Sequence, residues 1–216
     1  MSLGVRPVEE SDRWRLLEWR NSDRVRAVSI DAAVISRETH SVWFDRLLAE
    51  RADEVLIVTW DRAPVGVVSL ERVDRPQAVC SWGCHLGVTD VPPGVGAVLP
   101  VIGLGFGFDG HGMRRMTAQV LGGNRNMLGV HRRLGVPIEG TLREHARRDD
   151  GTTSDVVLYG VLAPEWETIR TTAARRLPAA LRGALDLVLD RLVARAGRDV
   201  PRARRRHERH AHVPLR

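Results

Sequence analysis

A proline–glycine break, Pro92-Pro93-Gly94-Val95-Gly96, divides two apolar stretches of this 216-residue chain. Before it, residues 78–88 have the length and apolar content of a strand, and after it residues 97–108 form a longer apolar run. The second run predicts a helix, although Gly103, Gly105 and Gly107 each cost a helix about 1 kcal/mol relative to Ala. A strand there would leave the glycine loop without a helix N-terminus. A further strand at 116–121 makes this helix a crossover between two strands. Elsewhere strand runs at 55–60 and 64–71 flank Asp61-Arg62-Ala63, a hairpin pattern. Hairpins combined with a crossover helix indicate an α/β fold with a mixed sheet.

The remaining segments fit that plan. Residues 5–8 read as an opening strand, and Ser11 is placed to cap a helix ending near Glu18, Trp19 and Arg20. A second helix starts at Ser36 and carries Val42, Trp43, Leu47 and Leu48 at helical spacing. Residues 124–134 form a short amphipathic helix. Two closing strands, 138–147 and 155–162, are joined by a turn at Asp149-Asp150-Gly151. The expected order is β-α-α-β-β-β-α-β-α-β-β.

Composition narrows the function classes. Apolar residues make up 43% and charged residues 28%, as in an ordinary globular protein. No apolar run reaches membrane-spanning length and the N-terminus lacks a signal-peptide core, so the cytoplasm is the expected location. Cys80 and Cys84 are too few for a disulfide scaffold or a cysteine-rich zinc site, and no metal is expected. All 33 basic residues are Arg, which excludes a lysine nucleophile. The net charge of +6 is uneven: residues 1–163 hold 20 Arg against 21 acids, and 164–216 hold 13 against 6. The excess lies in the C-terminal part, and no sequence-specific nucleic-acid contact is expected.

A strand, a glycine loop and a helix N-terminus together suit a pyrophosphate, because the first amides of a helix lack partners and glycine permits close approach. The rival pattern Gly105-Phe106-Gly107-Phe108-Asp109-Gly110 matches a dinucleotide fingerprint, but no strand precedes it and no helix follows it.

The segment Asn124-Arg125-Asn126-Met127-Leu128-Gly129-Val130-His131-Arg132-Arg133-Leu134-Gly135-Val136 resembles the signature of the GNAT N-acetyltransferases. Leu17-Glu18-Trp19-Arg20-Asn21, Glu38-Thr39-His40 and Thr141-Leu142-Arg143-Glu144-His145 add to the likeness, which spans about residues 3–166. Within that family the chain is similar to the 4-N-acetyltransferases of nucleotide-linked amino sugars on the pseudaminic acid pathway, and next to the ribosomal-protein N-terminal acetyltransferases. The resemblance implies acetyl-CoA as cosubstrate and direct transfer to an amine. It places the pantetheine arm on Leu86, Gly87 and Val88, and the pyrophosphate on Pro93, Gly94, Val95, Gly96 and Ala97. Asn124, Met127 and Arg133 complete the cofactor set.

Three positions depart from the family pattern. Val91 replaces the usual Gln or Arg that opens the glycine loop. Gln119 stands where the amino-sugar enzymes carry a glutamate base, and an amide takes no proton. His131 replaces the tyrosine assigned as acid to the leaving thiolate. Imidazole titrates near 6.5 and a thiol near 8.5, so His131 fits that role on ordinary values; packing against CoA without titration is the alternative. Trp19, Arg20, His40, Trp43 and Trp82 are the acceptor-pocket candidates, with a core role the alternative for each tryptophan.

The chain divides into an acetyltransferase domain (1–166), a helical extension (167–200) and a disordered polybasic tail (201–216). Leu181, Leu185, Val188 and Leu192 form an amphipathic stripe that packs on its own domain or on a homodimer mate. The arginines beyond it suit a solvated end or an anionic surface. Three functions remain open: a small-molecule enzyme, a protein N-terminal acetyltransferase, and an inactive CoA-binding module.

Overall fold

The computed structural model describes residues 2–50, 54–148 and 150–199. A seven-stranded mixed sheet runs in the order β1-β2-β3-β4-β5-β7-β6, built from β1 (Leu3–Pro7), β2 (Glu54–Trp60), β3 (Ala63–Asp74), β4 (Val79–Leu86), β5 (Arg115–Leu121), β6 (Ile138–Arg147) and β7 (Thr153–Leu162). Among the described residues only β4 and β5 pair in parallel. The crossover between them is α4 (Val95–Gly105) with a π-helical turn at Phe106–Gly110. The α/β class and the mixed sheet expected from the sequence are present.

The β2–β3 turn is tight because Asp61 and Arg62 both adopt positive φ, 47° and 70°, the conformation a two-residue hairpin needs. On the other side of the sheet lie α1 (Arg13–Asn21), α2 (Asp23–Arg26) and α3 (Arg37–Glu50). Ser11 does not cap α1; it lies within a 3-10 turn, Glu10–Asp12, that feeds the helix. There the buried Asp12 carboxylate binds Arg6 and Arg15 and accepts the Glu9 amide at 3.0 Å. Ser36 does serve α3, its Oγ accepting the Thr39 amide at 3.2 Å. The buried face of α3 is His40, Phe44 and Leu47, so of the apolar set Val42, Trp43, Leu47 and Leu48 it includes Leu47 alone. Spacing of four and three residues aligns that trio on one stripe, and Val42, 60% exposed, falls outside it.

Two cores result. One packs Leu16, Trp19, Phe44 and Leu47 on Val55, Ile57 and Val67. The other packs α4 and α5 (Arg125–Leu134) on Leu56, Val68, Trp82, Met116 and Val161. Two C-terminal helices, α6 (Ala163–Arg176) and α7 (Ala179–Asp199), join this second core. The boundary after Trp166 falls inside α6, and Leu181, Leu185, Val188, Leu189 and Leu192 are all buried against the chain's own domain. A Cβ at Gly105 would collide with Leu189, so the glycine that weakens α4 locally is what admits α7. The tail at 201–216 and Asp149 of the expected turn lie outside the described residues.

Candidate active site

The central feature is a fork. β4 and β5 pair at Val79, Cys80 and Ser81 with Arg115, Met116 and Thr117, and then separate. A hydrogen-bonding contact between Ser81 Oγ and Thr117 Oγ1 at 3.1 Å closes its apex. Beyond it β4 stays paired only with β3, up to Leu86, while β5 pairs with β7. The inner edges of both strands are thereby freed. Gly87 sends its N–H to Val65 O on β3 at 2.8 Å, and the carbonyl of Leu86, one residue earlier, instead meets Arg24 Nη2 at 2.9 Å. Neighbouring strand residues direct their backbone groups to opposite sides, so Leu86 is on the fork side.

The glycine loop leads out of β4 into α4. Gly94 caps the helix with φ 97°, in the left-handed region that glycine enters without a Cβ penalty. Val95 N–H turns back to Pro92 O at 3.2 Å and Ala97 N–H to Gly94 O at 3.0 Å, whereas the amides of Gly94 and Gly96 have no backbone acceptor among the described residues. Two free amides at the positive end of an eleven-residue helix fit a phosphate group. The side chain of Val95 is core, Ala97 is half-buried and Pro93 is exposed. From behind, Leu181 and Pro178 press on Gly94.

His131 lies beneath the fork. α5 begins at Asn124, whose Oδ1 accepts the Met127 amide at 3.1 Å, and one amphipathic face of the helix buries Val130, His131 and Leu134. The His131 ring stands edge-on to Tyr159 of β7 at 4.4 Å and lies 6.0 Å from Trp82 of β4. It is 2% exposed, its Nδ1 is buried without a hydrogen-bond partner, and burial pushes its pKa down to about 4. At neutral pH the ring is therefore an uncharged imidazole. An orphaned nitrogen at this point fits a ligand that brings a hydrogen-bonding group. Arg133 is exposed on the outer face of the same helix.

The opposite face of the sheet has its own set. Alternation puts Ser81, Gly83, His85 and Gly87 of β4 on one face with Thr117 and Gln119 of β5. A Cβ at Gly87 would collide with the Trp19 indole, so Trp19 lies directly on the strand end, and Arg20 follows it in α1. Gln119 is exposed. Sequence reasoning missed three residues here. Arg24 holds Leu86 O. His85 has a buried Nε2 with no partner and a pKa pushed down to about 4 by burial and by Arg20 and Arg24. Arg148 crosses from the β6–β7 arm to the carbonyls of Ser29 at 2.7 Å, Ala27 at 3.1 Å and Arg26 at 3.2 Å, tying that arm to the end of α2. Each acts through tertiary contacts with residues far away in sequence, so no local motif marked them.

Other candidates are placed elsewhere. Trp82 points to the α4 side, where Gly103 makes room for it, and is core; it does not share a face with Trp19. His40 is buried and its Nε2 pairs with the Arg13 carbonyl at 2.7 Å, joining α3 to α1. Trp43, 39% exposed, has His40 and Phe44 as its ring neighbours. Cys80 and Cys84 are free, and burial raises their thiol pKa values to about 11 and about 12, so neither ionises at neutral pH. No helix among the described residues is long and apolar enough to cross a membrane.

The chain matches the acetyltransferase (GNAT) domain family over residues 2–136. No curated protein matches it. Among solved structures, spermidine N-acetyltransferase from Vibrio cholerae in complex with CoA and spermine aligns with a TM-score of 0.71 at 16% identity, covering 77% of this chain and 98% of that one. An N-acetyltransferase from Staphylococcus aureus Mu50 aligns at 0.63 and 13% identity, covering 76% and 99%. An acetyltransferase of the GNAT family from Streptococcus pneumoniae aligns at 0.59 and 21% identity, covering 74% and 99%.

Proposed function

Because the chain belongs to the GNAT acetyltransferase family, we propose that it transfers an acetyl group from acetyl-CoA directly to a primary amine of a nucleotide-linked amino sugar. The observation that carries this reading is the β4–β5 fork opening beside the glycine loop at the α4 N-terminus. Acetyl-CoA supplies the activated thioester whose acyl carbon the amine attacks.

The chain's own residues divide the remaining work. Gly94 and Gly96 offer their free amides to the diphosphate, and the inner edge of β4 near Leu86 and Val88 offers backbone groups to an extended arm. His131, neutral under the fork, presents an imidazole that holds its ligand by a hydrogen bond and not as a charged acid. Gln119 orients water on the acceptor face but takes no proton. The amine must therefore arrive uncharged, and the rate follows the titration of the amine itself.

The sugar nucleotide is favoured over a polyamine by charge. The guanidiniums of Arg20 and Arg24 have backbone carbonyls as partners, with no carboxylate in ion-pair range among the described residues. Two uncompensated cations disfavour a polyamine and favour an anionic acceptor. The test is incubation with acetyl-CoA and a panel of UDP-linked amino sugars, with spermidine and N-terminal peptides alongside. Release of free CoA together with the mass gain of one acetyl group on a UDP-amino sugar is expected. Acetylation of spermidine or peptide alone would refute the sugar assignment.

A further inference from the structure

We infer that Arg20, Arg24 and His85 form a receptor for a phosphate group of the acceptor, on the sheet face opposite α4. The inference rests on the acceptor reading above and adds the group that is recognised and the residues that recognise it. Its elements come from three places. α1 supplies Arg20, α2 supplies Arg24, and β4 supplies His85 at the register position opposite Val67.

The hydrogen-bonding state of these side chains fits an anionic ligand. Arg20 uses Nη2 on Asp31 O at 2.7 Å, while its Nη1 is buried without a partner. His85 Nε2 is also buried without a partner. Buried polar atoms are rarely left unpaired, and here two of them lie in one neighbourhood with like charge around them. Arg24 donates to Leu86 O with one nitrogen and is otherwise exposed. The nearby carboxylate of Asp23 does not neutralise this group, since it faces Arg26 at 3.5 Å and is fully exposed.

Charge and geometry together select phosphate over other ligands. Guanidiniums present paired N–H donors matched to phosphate oxygens, and a neutral imidazole with its proton on Nε2 adds a third donor. A cationic ligand is repelled, and a neutral sugar leaves both charges uncompensated. Arg24 also couples the receptor to the fork, because the carbonyl it holds belongs to the last residue of β4.

The test measures binding of UDP by calorimetry to protein saturated with CoA, so that the nucleotide site of the cosubstrate is occupied. Inorganic pyrophosphate serves as a second probe. UDP and pyrophosphate should bind the native chain, and Arg20→Gln and Arg24→Gln should each weaken UDP at least tenfold with unchanged thermal melting. Arg20→Gln should leave the dissociation constant for acetyl-CoA as it was. In NMR, the His85 ring should titrate at higher pH with UDP bound, since a neighbouring anion favours imidazolium. No UDP binding to the CoA complex, or native affinity for UDP in both variants, overturns the receptor. These readings need no turnover. Phosphate binding without sugar acetylation would sink the substrate assignment alone, and sugar acetylation with an unchanged KM in both variants would sink the receptor alone.

Discussion

Replacing His131 with phenylalanine should make the protein more resistant to acid. The His131 ring is almost fully buried, its Nδ1 lacks a partner, and its pKa is about 4. In the unfolded chain a histidine titrates near 6.5. Below that pH the unfolded state binds a proton that the folded state refuses, so stability falls with pH between the two values. The full difference amounts to about 3 kcal/mol, and about 2 kcal/mol of it is already lost at pH 5. Phenylalanine fills a similar volume between Tyr159 and Trp82 and has nothing to protonate. Urea denaturation at pH 7.5 and pH 5 should show native protein losing about 2 kcal/mol more than His131→Phe over this interval. Other acid-sensitive groups, among them Asp12 and His85, contribute to both proteins and cancel. Parallel losses in the two proteins would mean that His131 is protonated readily in the fold, and would restore it as a candidate acid for the leaving thiolate.

Further outcomes follow from the same structure. A chain ending after Arg198 should keep its kcat, whereas one ending after Leu177 should not fold. The second loses five buried apolar side chains of α7, worth roughly 1.5–3 kcal/mol each, which rivals the whole stability of a domain; circular dichroism and thermal melting would decide. Gly105→Ala should destabilise despite its gain in helix propensity, because the new Cβ meets Leu189, and adding Leu189→Ala should rescue the clash, so that the double variant loses less than the two single variants added together. Failure of that rescue in paired melts would refute the α4–α7 contact. The logarithm of kcat/KM should rise with pH along the acceptor amine's own titration, so amines of different pKa should shift the profile; a fixed limb near pH 6 to 7 for every amine would point to a side-chain base.

What the chain disclosed before folding was mostly local. The Pro92–Gly96 break, the crossover after it and the short helix over 124–134 depend on preferences within a few residues, and each is found near its expected place. The buried stripe of α3 was misjudged because Val42 and Leu48 are more apolar than His40, yet packing follows angle around the helix rather than hydropathy. The leucine stripe of α7 was visible in its period, but what covers it depends on glycines in α4 some eighty residues earlier. Arg24, His85 and Arg148 were illegible, because their roles consist of bonds to backbone carbonyls or of charges supplied by other elements. The altered state of His131 belongs to the same class: residue type sets the ordinary pKa, and only burial moves it.

The central claim is that the fork and the glycine loop hold acetyl-CoA, and calorimetry on Gly94→Asp tests it most directly. The substitution puts a side chain into a left-handed turn pressed by Leu181 and Pro178, and a negative charge beside the amides assigned to the diphosphate. The native chain should bind acetyl-CoA at one site, and Gly94→Asp, with its fold verified by circular dichroism, should bind at least tenfold more weakly. Equal affinity in a folded Gly94→Asp protein would contradict the account.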